Sequence, residues 1–67
     1  MNEQWVSIYN SNYNYLVEIT QAILTENEIE SVIVNKQDSS YHFGIIELHV
    51  HPDNVIKALQ IINTEKL

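Results

Sequence analysis

The chain has 67 residues and no cysteine, which bounds it to a single small domain (1–67) without disulfides or thiolate metal clusters. A domain of this size buries only about 60% of its unfolded surface, so stability has to come from dense aliphatic packing or from association. Three Lys+Arg against nine Asp+Glu give a formal charge of −6, and Lys36, Lys57 and Lys66 cannot build the basic stripe that nucleic acid or an anionic membrane surface requires.

In chain order, Gln4–Tyr9 alternates, with Val6 and Ile8 on one face and Trp5, Ser7 and Tyr9 on the other, which predicts a first strand. Asn10-Ser11-Asn12 is a turn, with Asn12 the expected N-cap of a helix. In that helix Tyr15, Leu16, Ile19, Ala22 and Ile23 recur at helical spacing, with Glu18 and Gln21 outside. Asn27 suits the left-handed position that closes it. Ser31–Lys36 reads as a second strand with Val32 and Val34 the expected buried pair, and Ile45–His51 as a third that buries Ile46, Leu48 and Val50. Pro52 opens a last helix, with Asp53 near its positive end and Val55, Ala58, Leu59 and Ile62 as its apolar stripe. No apolar run approaches the ~20 residues of a spanning helix, and Met1-Asn2-Glu3-Gln4 lacks the features of a secretory leader, so a cytoplasmic protein is expected.

These elements predict an α+β, ferredoxin-like βαββα fold. Strands joined through a helix should be parallel with a right-handed crossover, and the next two should pair as a hairpin. The simplest packing is a three-stranded sheet with the third strand central and both helices on one face. Such a sheet leaves the first strand as an open edge, and its other face, carrying Trp5, Tyr9, Ile33, Ile45 and His49, is uncovered. That apolar-aromatic face suggests a protein partner or self-association.

Two constellations carry potential chemistry. Glu47, His49 and His51 alternate on one strand, so two imidazoles and a carboxylate could converge as a metal site; the bland alternative is two half-exposed histidines on a solvated or partner-facing sheet. The connection from Asn35 to Gly44 is long for a hairpin loop. Within it Asn35, Lys36, Asp38, Ser39, Ser40 and Tyr41 form either a self-capped turn or a partner- or ligand-binding loop. Asp38, Ser40 and His42 do not make a catalytic triad, because one short loop supplies neither the rigid geometry nor an oxyanion hole. No P-loop, dinucleotide fingerprint or paired-carboxylate cleft is present, so neither catalytic residues nor a cofactor are expected.

The opening Trp5-Val6-x-Ile8-Tyr9, the helix carrying Tyr15 and Glu18, and above all Asn35-Lys36-Gln37-Asp38-Ser39-Ser40-Tyr41 followed by Gly44 and Glu47-Leu48-x-Val50 resemble a small bacterial family of unknown function. Its members are labelled prokaryotic signal-transducing proteins. The resemblance spans most of the chain and implies a fold similar to the nitrogen-regulatory PII proteins. There the connection between the second and third strands touches partners and can be modified on a tyrosine, a place taken here by residues 36–44 with Tyr41. PII proteins are longer and bind ATP through basic and glycine-rich segments that this chain lacks. Together with the exposed face, the free edge, the long loop and the lack of a catalytic set, the resemblance points to a non-enzymatic regulatory binding module, with a small-molecule ligand as one form of it; the alternative is a metal-binding protein or small metalloenzyme using Glu47, His49 and His51.

Overall fold

In Ile46-Glu47-Leu48-His49-Val50 apolar and polar residues alternate without a break, which dictates a strand with one buried face. The computed structural model, which describes residues 4–38, 40 and 43–66, places this strand at the centre of the molecule. The elements in chain order are β1 (Val6–Ser11), α1 (Asn14–Glu26), β2 (Ser31–Asn35), β3 (Ile46–Val50), a 3-10 turn at Pro52–Asn54, and α2 (Val55–Glu65). The sheet order is β1-β3-β2, and β3 runs antiparallel to both neighbours. This is the expected βαββα arrangement. Ile46, Leu48 and Val50 form one core with Val17 and Leu24 of α1, Ile29, and Ala58 of α2, so both helices cover the same face.

Several local expectations are corrected. Tyr9 was expected on the open face, but the ladder slips between Ser7 and Tyr9, leaving Ile8 as an extra residue in β1. A bulge of this kind turns the following side chain over. Tyr9 therefore lies opposite buried Leu48 and packs against the core together with Ile8. Ile33 is likewise moved from the open face to the core side, because it pairs with Leu48, whereas Val32 and Val34 pair with His49 and Glu47. Val32, expected to be buried, is 46% exposed. Three consecutive β-branched residues carry no alternation, so the phase of β2 is set by the pairing partner rather than by its own sequence.

The buried stripe of α1 is Val17, Thr20 and Leu24, while Tyr15 and Ile19 of the expected stripe are 60% and 47% exposed. The cause is Thr20, whose hydroxyl donates to the Leu16 carbonyl at 2.8 Å and so enters the core with its polar group satisfied. Tyr13, not Asn12, occupies the N-cap position without capping through its side chain, and the Ser11 hydroxyl accepts the Tyr13 N–H at 3.0 Å. At the other end Asn27 keeps a negative φ and the left-handed residue is Glu28, with φ 65°. The Ile29 N–H donates to the Leu24 carbonyl at 2.9 Å and the Glu28 N–H to that of Thr25 at 3.0 Å. Those two bonds, with Leu24 and Ile29 both buried, are a complete Schellman closure.

Pro52 begins the 3-10 turn rather than α2 itself. In α2, Ala58 is buried and Val55 and Ile61 pack on the core, but Leu59 of the expected stripe is largely exposed.

Candidate functional site

The face of the sheet away from the helices is built by pairing. Ser7 and Val32 flank His49, and Asn10 and Val34 flank Glu47. Because Val34 lies opposite Glu47, Lys36, two residues further along, falls on the same face as a diagonal neighbour. Its ammonium reaches Glu47 Oε1 at 3.2 Å, and His49 Nε2 meets the same oxygen at 2.8 Å. The two β3 side chains are sheltered, at 15% and 20% exposure for Glu47 and His49, whereas Lys36 is open.

The hydrogen bond from His49, followed by that from Lys36, holds the Glu47 carboxyl below its ordinary range, outweighing the opposing effect of burial. An ionised carboxylate only accepts, so Nε2 of His49 carries the shared proton. In the neutral imidazole the lone pair then belongs to Nδ1. Among the described residues Nδ1 has no hydrogen-bond partner, and it is not among the occluded unpartnered polar atoms, a condition met only by Ser31 Oγ.

The hairpin between β2 and β3 continues the ladder beyond the strands. The Lys36 N–H donates to Ile45 O at 3.0 Å and the Asp38 N–H to Phe43 O at 2.7 Å. Asn35 Oδ1 accepts from the Gln37 N–H at 2.8 Å, and Asp38 Oδ1 from the Ser40 N–H at 2.7 Å. These are side-chain turns in which polar residues hold their own backbone. Gln37 Nε2 also donates to the Asn12 carbonyl at 3.0 Å, tying the hairpin to the start of α1. Gly44 has φ 111°, and a Cβ there would stand 2.8 Å from the Lys36 carbonyl oxygen. Phe43 is 75% exposed.

The residues singled out from sequence therefore divide. Asn35 and Asp38 shape the turn with Ser40, Lys36 leaves it for Glu47, and Ser39 and Tyr41 lie outside the described residues, as does His42. Trp5 is half-buried and stands edge-on to His51, with ring centroids 6.2 Å apart. His51 Nδ1 accepts the Asp53 N–H at 3.1 Å and so caps the 3-10 turn instead of joining Glu47 and His49. Of the three candidate metal ligands only two meet, and among the described residues no group of three His, Asp or Glu side chains is gathered for a metal ion. The participant missed from sequence is Lys36 as the partner of Glu47. The hairpin register would have revealed it, had the phase of β2 been known.

Two shallow clefts lie elsewhere. One of about 200 Å³ is lined by Asn27, Gln60 and Ile61, and one of about 320 Å³ by Thr25, Glu28 and Ser31. Among the described residues no helix is long and apolar enough to cross a membrane. No match to the chain was found among curated proteins or among solved structures. Residues 5–66 match a family model described as "Putative prokaryotic signal transducing protein". With nearly its whole length matched, the chain belongs to that family.

Proposed function

We propose that the chain is a non-enzymatic regulatory binding module of the cytoplasm, acting through the open sheet face and the adjoining β2–β3 hairpin. The observation that carries this reading is the Lys36–Glu47 ion pair, which joins the base of the hairpin to the exposed side of the central strand. An occupant of the face that engages Glu47 or His49 also moves the hairpin base, and an occupant of the hairpin alters the face. The family description supports a role in signalling and hence a protein partner. A metabolite held between hairpin and face is the small-molecule version of the same reading.

The experiment is an amide NMR titration of the labelled protein with a metabolite pool and then with fractionated cell extract. Shift changes clustered at Ser7, Val32, Val34, Lys36, Glu47 and His49 are expected. Changes confined to α1 and α2 would overturn the assignment of the surface. Zinc enters as a separate arm: tight, stoichiometric binding that perturbs Glu47, His49 and His51 together would replace this reading with a metalloprotein.

A further inference from the structure

Glu47 and His49 form a carboxylate–imidazole pair in which the carboxylate fixes the tautomer, and Lys36 places a cation on the same carboxylate oxygen. Such pairs orient an imidazole and stabilise the positive charge that develops when its free nitrogen attacks. Here the lone-pair nitrogen is Nδ1, without a hydrogen-bond partner among the described residues, on a ring whose side chain is 20% exposed. His51 has no equivalent freedom, because its Nδ1 accepts the Asp53 N–H. Ser7 and Val32, the residues flanking His49 across the sheet, carry neither acid nor base, so among the described residues the charged groups meeting the pair are its own carboxylate and Lys36.

We propose that His49 is a phosphoryl-acceptor site, taking a phosphoryl group on Nδ1 from a donor of the acyl phosphate class. The proposal rests on the regulatory reading of this face and specifies one way the face is switched. The Nδ1 lone pair attacks phosphorus, the bond from phosphorus to the acyl oxygen breaks, and the carboxylate leaves with that electron pair. The Nε2 proton stays between the ring and Glu47, whose negative charge balances the imidazolium. Lys36 is free to turn from Glu47 toward the phosphoryl oxygens, since its side chain is 56% exposed. The product places a dianionic group beside the hairpin base and competes for the ammonium that ties hairpin to sheet.

The test incubates the protein with acetyl phosphate and magnesium, followed by phosphorus NMR and intact mass measured without acid. Wild type and His42→Gln are expected to gain one phosphoryl group with the resonance of a phosphohistidine, and His49→Asn none. Glu47→Gln is expected to react roughly 10- to 100-fold more slowly, the scale on which a carboxylate behind a ligating histidine affects activity. Nitrogen NMR of the wild-type ring should show the Nε2-protonated tautomer, and Glu47→Gln should lose that preference while retaining a dispersed amide spectrum. That readout separates positioning from simple destabilisation. An unlabelled wild type, a phosphoryl group on His42 or His51, or labelling that survives His49→Asn would each overturn the proposal. Failure here with titration shifts still on the open face removes only the phosphoryl step. Labelling of His49 with shifts confined to the helices removes only the binding surface.

Discussion

The closure of α1 is a place where one substitution should make the protein more stable. Glu28 holds φ 65°, a conformation that costs an L-residue roughly 1–2 kcal/mol because Cβ crowds the following carbonyl. Glycine has no such penalty but gives up about 0.5–1 kcal/mol through the greater freedom of its unfolded chain. Glu28 also adds negative charge just past the C-terminus of α1, where the helix dipole disfavours it by about 0.3 kcal/mol at an exposed position. Glu28→Gly should therefore stabilise by about 1 kcal/mol, which for a domain of this length raises Tm by roughly 4–8 °C. Thermal and urea unfolding of Glu28→Gly and Glu28→Ala, run side by side, decide it. Alanine removes the charge but keeps the strain, so its gain should be only the dipole part. Equal gains for the two variants would refute the backbone argument and leave charge as the cause. A loss with glycine would likewise refute the backbone argument, and no gain with alanine would refute the charge part.

Gly44→Ala should destabilise by about 2 kcal/mol, because the added Cβ meets the Lys36 carbonyl oxygen at 2.8 Å in a left-handed backbone; urea midpoints measure this, and a neutral result would mean that the hairpin base relaxes freely. Ile33→Ala should cost about 2–4 kcal/mol and Val32→Ala under about 1, since only Ile33 packs on the core; a reversed order would contradict the phase assigned to β2. The Glu47 carboxyl titrates lower in the folded state than in the unfolded one, so its contribution to stability is complete above the ordinary carboxylate pKa, about 4.3, and is lost as pH falls through the depressed folded value. Glu47→Gln should accordingly flatten the acid limb of a stability–pH curve, and an unchanged limb would show that the contacts with His49 and Lys36 do not persist in solution.

How far the sequence could be read depended on whether a segment's hydrophobic pattern had a phase of its own. β3 does, with polar Glu47 and His49 between three aliphatic residues, and its faces were legible outright. Val32-Ile33-Val34 does not, and its orientation came only from pairing with β3. In α1 two apolar stripes compete, one through Tyr15 and Ile19 and one through Val17 and Leu24, and hydropathy favours the wrong one because Thr20 counts as polar. Its internal bond to the Leu16 carbonyl is what admits it to the core. Tyr9 was misplaced for a different reason: a bulge has no signature in Ser7-Ile8-Tyr9 that distinguishes it from a regular strand. The candidate site shared these limits. Glu47 and His49 were visible as alternate residues of one strand, but the choice of third partner turned on register, and register puts Lys36 there rather than His51.

The same bulge bears on where a partner would dock. An open first strand is a template for pairing with another chain, and natural edges are blunted by features that break the regular ladder. The extra residue at Ile8 does this to β1, interrupting the pairing between Ser7 and Tyr9 and drawing both Ile8 and Tyr9 toward the core. A chain adding at that edge would meet an irregular row of backbone groups and few outward apolar side chains. The open face, by contrast, combines exposed Val32 with a sheltered carboxylate, an imidazole and an exposed ammonium, three groups able to answer a ligand's charge. Edge pairing needs a regular backbone, which the bulge denies to β1, whereas face binding needs specific side chains, which the open face provides.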